Sequence, residues 1–121
     1  MVVKYCLDTY ALFELAIGNP KFAFLTKQEF VIPSTTLAEF YWVLRVKKKN
    51  AEYWIKQLAA TSVMVNADTM VQAQAYRYAN KNKDLSFFDA VGYQYARNHA
   101  QQFVTGDKEF KGLPGVKHIS K

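Results

Sequence analysis

Val2-Val3-Lys4-Tyr5-Cys6-Leu7-Asp8-Thr9-Tyr10-Ala11-Leu12-Phe13-Glu14-Leu15-Ala16-Ile17 changes character at its midpoint. Residues 2–7 are a short β-rich run that stops at Asp8-Thr9, and residues 10–17 are a helix-like string. Gly18-Asn19-Pro20 ends that string, since glycine closes a last turn and proline cannot continue it. A strand that feeds straight into a helix is the first unit of an alternating chain, and the alternation persists. A short helical stretch over 21–27 precedes a buried strand over 30–32 that Pro33 closes, and a long helix is expected over 34–49. A one-sided helix over 51–60, a strand over 62–65 and a helix over 67–80 follow, then the polar break Asn80-Lys81-Asn82-Lys83-Asp84. Ser86 opens a helix lasting to about 100, and a strand over 102–105, a single turn over 107–110 and an edge strand over 116–119 complete the chain. Strands separated mostly by helices predict an α/β fold with a parallel five-stranded sheet, helices on both faces and right-handed crossovers.

The chain has 121 residues, half of them apolar and 21% charged, which describes one domain over residues 1–121 and leaves no room for a second. Its size is enough to build a core without disulfides or a structural metal. The single Cys6 suits a reducing compartment, and the sequence carries neither an eighteen-residue apolar run nor a leader pattern. A cytoplasmic chain with no membrane partner is the expectation. Sixteen Lys and Arg against ten Asp and Glu give a formal charge of +6, so a polyanionic partner enters consideration.

Acids are scarce, yet Asp8 follows the first strand, Glu39 lies early in the second helix, Asp89 opens the Ser86 helix and Asp107 follows the fourth strand. All four belong to one rim of the expected sheet, where open α/β folds bind ligands. Each also has a local explanation as a cap: Asp8 and Asp107 as N-caps, Thr36-Leu37-Ala38-Glu39 and Ser86-Phe87-Phe88-Asp89 as capping boxes. Capping leaves unexplained the apolar settings Leu37-Ala38-Glu39-Phe40-Tyr41-Trp42 and Phe87-Phe88-Asp89-Ala90-Val91. Carboxylates gathered in such surroundings repel one another unless protons or a cation neutralise them. Oxygen donors without companion His or Cys favour Mg²⁺ or Mn²⁺. His99 reads as a cation near a helix C-terminus and His118 as an edge-strand residue, neither as a ligand.

Leu7-Asp8-Thr9, Glu39, Leu85-Ser86-Phe87-Phe88-Asp89-Ala90 and Thr105-Gly106-Asp107-Lys108-Glu109-Phe110, with the ending Leu113-Pro114-Gly115-Val116, together resemble the PIN-domain nucleases, including the VapC-type toxins of toxin–antitoxin pairs. The resemblance runs along essentially the whole chain; Tyr10 departs from it, because many relatives carry Asn or Ser there. It implies a Mg²⁺- or Mn²⁺-dependent endoribonuclease in which Asp8, Glu39, Asp89 and Asp107 hold the metal and carry catalysis. Thr105 and Ser86 would then hydrogen-bond a ligand carboxylate or a metal-bound water. It further implies an RNA substrate and an antitoxin protein.

Cations must draw RNA to a site lined by carboxylates, and Lys108 with the cluster Arg45, Lys47, Lys48 and Lys49 are the first candidates, followed by Lys81, Lys83 and Arg97. The cluster equally suits a solvated helix C-terminus. Tyr10, Phe13 and Phe110 lie near the rim; core packing is the first reading for them, with base stacking as the alternative. Glu109 reads as solvated, and Glu14, Glu29, Glu52, Asp68 and Asp84 as surface or capping residues. The surplus aromatics Tyr41, Trp42, Tyr53, Trp54, Tyr76 and Tyr78 suit a homodimer or an antitoxin groove. Two rival readings remain: a catalytically idle PIN-like module that binds RNA or protein, and a receiver-like phosphoacceptor domain. The latter expects paired acids after the first strand, which Lys4-Tyr5-Cys6-Leu7-Asp8 does not supply.

Overall fold

Side chains alternate between the two faces of a strand, so a sheet covered on both sides needs apolar residues at consecutive positions. Cys6-Leu7, Val31-Ile32 and Phe103-Val104 meet that requirement. Cys6, Val31 and Phe103 enter one core cluster, while Leu7, Ile32 and Val104 enter the other. The computed structural model describes residues 4–120. Its strands are β1 (Tyr5–Leu7), β2 (Phe30–Pro33), β3 (Ser62–Val63), β4 (Gln102–Thr105) and β5 (Val116–His118), all parallel, in the order β3-β2-β1-β4-β5. The helices are α1 (Thr9–Ala16), α2 (Ser34–Val46), α3 (Ala51–Leu58), α4 (Ala67–Ala79) and α5 (Phe87–Asn98).

The expected five-stranded parallel sheet with helices on both faces is therefore the observed one. Residues of α4 and α5 cover the Cys6 face, where Ala73, Val91, Tyr93 and Ala96 meet Phe103 and Phe110. Residues of α1, α2 and the 3-10 helix Pro20–Lys27 cover the other, where Leu12, Phe22, Leu25, Phe40 and Leu44 meet Leu7 and Val104. Gly92 lets α5 approach the sheet closely, because a Cβ there would stand 2.9 Å from the Phe103 ring.

Several boundaries differ from expectation for physical reasons. Residues 2 and 3 of the first expected strand lie outside the described residues. The helix expected over 34–49 stops at Val46: Lys47 is its C-cap and Lys48 takes the left-handed region at φ 56°, so Lys47, Lys48 and Lys49 leave the helix. The helix expected over 51–60 ends at Leu58 and tightens into a 3-10 turn over Ala59–Thr61. The strand expected over 62–65 pairs only through Ser62 and Val63, and Met64 is exposed. Ser86 is the cap of α5 rather than its first residue, and that helix closes at Asn98. Among the described residues, no helix is long and apolar enough to cross a membrane.

Chain order and sheet order together locate a crevice. From β1 the chain builds outward through β2 to β3, then returns to place β4 on the opposite side of β1 and β5 beyond it. The carboxyl ends of β1 and β4 thus flank the point where strand order reverses, the place where open α/β sheets form a cleft.

Candidate metal centre

Asp8 leaves β1 and Asp107 leaves β4, so the reversal sets these two carboxylates side by side. Asp8 is the N-cap of α1; its Oδ1 accepts the Ala11 N–H at 2.8 Å, and the residue is only 2% exposed. Burial pushes its carboxyl up to about 8, and the neighbouring Asp89 and Asp107 charges push in the same direction. Opposing them, the Thr105 hydroxyl and the Ala11 N–H favour the charged form. Thr105 is fully buried, and its Oγ1 also accepts the Asp107 N–H at 3.0 Å, which ties the first and last acids to one residue. Asp107 in turn accepts the Glu109 N–H through Oδ1 at 2.9 Å.

Asp89 enters from α5. The Ser86 hydroxyl accepts the Asp89 N–H at 3.0 Å and caps the helix, so half of the expected capping box forms. Burial pushes the Asp89 carboxyl up to about 6; Glu39 and Asp107 add to the rise, the latter partly by accepting the proton of the acid form, while Ser86 opposes it. Glu39 reaches the group from α2. Its expected capping box with Thr36 does not form, because α2 starts directly after Pro33 without a side-chain cap and Thr36 is buried inside the helix. Glu39 accepts instead from the Thr9 hydroxyl, a partner that sequence reasoning missed. The only signal for it was a hydroxyl next to Asp8 at the strand-to-helix corner.

Asp8, Glu39, Asp89 and Asp107 thus form a chain of coupled pairs: Asp8 with Asp89 and Asp107, and Asp89 with Glu39 and Asp107. Caps and clustering coexist, because a carboxylate has about four lone-pair positions and one amide occupies one of them. Among the described residues, no three His, Cys, Asp or Glu side chains stand in closed metal-ligating geometry. A shared ion therefore requires these side chains to draw in around it. The donor set fits that role chemically, being all carboxylate oxygen with two acids raised by burial and mutual repulsion, a mismatch that a hard divalent cation relieves. A cleft of about 490 Å³ lined by Ala38, Glu39, Trp42 and Phe88 adjoins the acids.

Gly106 sits between Thr105 and Asp107, and a Cβ there would lie 2.0 Å from the Tyr10 ring. Tyr10, the residue that departs from the resemblance, therefore packs on the Gly106 backbone. On β5, the edge strand as expected, His118 donates from Nε2 to the Gly106 carbonyl at 3.2 Å and so braces the loop carrying Asp107. His99 caps α5 and stacks on Tyr95, away from the acids.

Phe110 is fully buried against Tyr93 and Phe103, the core packing read first for it, and so has no face for a base. Two other expectations for neighbouring residues are corrected. Glu14 is buried rather than at the surface, and Asn19 Nδ2 donates to it at 2.8 Å. Tyr76 and Trp54 are partly buried, Tyr76 against Tyr93, which leaves Tyr41, Trp42, Tyr53 and Tyr78 as the exposed members of the aromatic set. Among the basic candidates, Lys108 is exposed beside Asp107, whereas the 45–49 cluster lies at the other end of α2 from Glu39. There Arg45 faces Glu52 at 3.7 Å and Lys47 lies over the Phe13 ring.

The family model of the PIN domain matches residues 5–116. Among solved structures, a toxin–antitoxin complex from Klebsiella pneumoniae is similar at TM-score 0.76 and 21% identity, over 95% of this chain and 99% of that one. VapC20 of Mycobacterium tuberculosis, described as a Sarcin-Ricin loop cleaving toxin, is similar at TM-score 0.76 and 17% identity, over 97% and 99%. VapBC2 of Rickettsia felis, solved with a DNA fragment from its promoter, is similar at TM-score 0.67 and 16% identity, over 98% of each chain. A sequence comparison with curated proteins finds no match. At these identities the structures speak for the fold, while the family pattern spans nearly all of the sequence and takes in each of the four acids: the chain belongs to the PIN-domain family.

Proposed function

We propose that the chain is a Mg²⁺- or Mn²⁺-dependent endoribonuclease that hydrolyses RNA phosphodiester bonds and acts as the toxin of a toxin–antitoxin pair. The observation that carries the reading is the electrostatic coupling of Asp8, Glu39, Asp89 and Asp107 at the reversal of strand order. These four side chains would hold the ion. When bound, a divalent cation supplies activation of water and neutralises charge that builds on the phosphate. Thr9, Ser86 and Thr105 orient Glu39, Asp89 and Asp8 respectively, which limits the reorganisation needed to receive the ion. Lys108, and at longer range Arg45, Lys47, Lys48 and Lys49, offset the repulsion between the acids and RNA. The resemblance in fold to toxin–antitoxin complexes supports an antitoxin partner, and the exposed Tyr41, Trp42 and Tyr53 support a homodimer or the surface that receives that partner. A cytoplasmic location belongs to the same reading.

One observation favours an idle RNA- or protein-binding module: Tyr10 packs over Gly106, at a position where the resemblance leads one to expect Asn or Ser. Incubation of the purified chain with single-stranded RNA separates the two. The nuclease reading expects internal cuts with Mg²⁺ or Mn²⁺ and none with EDTA; intact RNA under every ion condition supports the idle module instead.

A further inference from the structure

A cavity of about 710 Å³, whose lining includes none of the four acids, lies on α4 and the connection to α5. Ala75 and Leu85 belong to its apolar lining, and Arg77, Tyr78, Lys81 and Lys83 supply cations and an aromatic ring. None of its lining residues is acidic, in a chain whose cleft is crowded with carboxylates. Tyr78 is 73% exposed, and Lys81 Nζ stands 4.6 Å from its ring centroid. Arg77 is fixed rather than loosely solvated: Nε donates to the Leu85 carbonyl at 3.0 Å and Nη1 to Gln74 Oε1 at 2.8 Å.

One end of this groove is tied to the candidate metal centre from two sides. Leu85 immediately precedes Ser86, the cap that holds Asp89. Lys83 Nζ donates to the Glu109 carbonyl at 3.3 Å, on the turn that Asp107 caps. A strand lying in the groove would therefore continue toward Asp89 and Asp107.

We propose that this groove binds the single-stranded RNA flanking the scissile phosphate, with Arg77, Lys81 and Lys83 on the backbone and Tyr78 stacked on a base. The inference rests on the ribonuclease reading. Its chemistry is that of sequence-tolerant single-strand binding, a basic track interleaved with an aromatic platform. A base-paired stem would hide the face that Tyr78 needs, so the groove selects unpaired segments next to the cut.

The test is binding, kept apart from cleavage. In the Asp8→Asn chain with EDTA, fluorescence anisotropy measures the affinity for a fluorescein-labelled single-stranded RNA across a salt series. Each phosphate contact on a single strand contributes about 0.7 to the slope of log K against log salt, so Lys81→Gln/Lys83→Gln lowers that slope by about 1.4. Lys27→Gln/Lys56→Gln removes the same charge elsewhere and leaves the slope within about 0.3 of the parent. Lys81→Gln alone, which spares the Lys83 bond to Glu109, lowers it by about 0.7. Tyr78→Ala weakens binding by about 5-fold or more, and that loss vanishes on an abasic strand. Equal slopes for the two double variants overturn the proposal, as does poly-glutamate binding as tightly as RNA with the same lysine dependence, which would assign the groove to an acidic peptide. A chain that binds in this way yet never cuts refutes the nuclease reading and leaves the groove standing.

Discussion

Asp89→Asn and Asp8→Asn each lower metal-dependent cleavage of RNA by on the order of 10²–10³-fold, while the chain remains folded. The size follows from losing a preorganised charge at the reacting centre. Survival of the fold follows from the local roles of the two residues: asparagine caps a helix about as well as aspartate, so the bond from Ala11 persists at position 8. Relief of repulsion also offsets what is lost, since each carboxyl is pushed upward by burial and by the other acids. Thr105→Val and Ser86→Ala form a graded second arm. They remove hydrogen bonds that orient Asp8 and Asp89 without removing a ligand, and each costs about 10–100-fold. Rates measured alongside melting temperatures check the order. Full activity in either asparagine variant would remove the acids from the chemistry.

Without metal, the folded chain loses stability as pH rises from about 4 to about 8. The carboxyls of Asp8 and Asp89 lie at about 8 and about 6, above the ordinary carboxylate value near 4. The folded state then holds protons that the unfolded state has released, and stability falls with pH wherever the native state binds more protons. The stabilising contribution is complete below the unfolded value and is lost first through the Asp89 range, then through that of Asp8. With Asp8 fully buried and Asp89 partly open to water, the total is on the order of a few kcal/mol, or roughly 10 °C in melting temperature. Asp8→Asn flattens the upper part of the profile, between about 6 and about 8. Excess Mg²⁺ or Mn²⁺ raises the alkaline side, because the ion binds the charged form. A metal-free melting temperature that is level or climbs over this range would contradict the burial assigned to Asp8.

The sheet was legible in the sequence because its strands are covered on both faces and read as continuous apolar pairs, each followed by a helix signal. The corner Leu7-Asp8-Thr9 was legible for the same reason, being the point where the period changes. Glu39 was placed on the right helix by the alternation and by Pro33, but the local explanation weighed for it fails. The hydroxyl three residues ahead of it imitates a capping box, yet α2 starts at Ser34 directly after Pro33, and Thr36 lies buried within it. Glu14 was misplaced because residue type alone ranks an acid as outward, whereas Phe110 belongs to the core that its aromatic character favours. Asn19 reaches back to Glu14 from only five residues on, across the turn that ends α1, and the Tyr93, Phe103 and Phe110 rings pack together only once α5, β4 and the turn after it have assembled; neither contact has a motif of its own. The role of His118 depends on its pairing opposite Thr105 on β4, a register that no motif announces.

The central claim is that carboxylates drawn from four separate elements share one divalent cation. Calorimetric titration of Mn²⁺ into the metal-free chain, repeated on Asp8→Asn, Glu39→Gln, Asp89→Asn and Asp107→Asn, addresses it directly. The account predicts saturable uptake by the parent and a loss of about 10-fold or more in affinity for every one of the four variants. No uptake by the parent, or parental affinity in the variants, would contradict it.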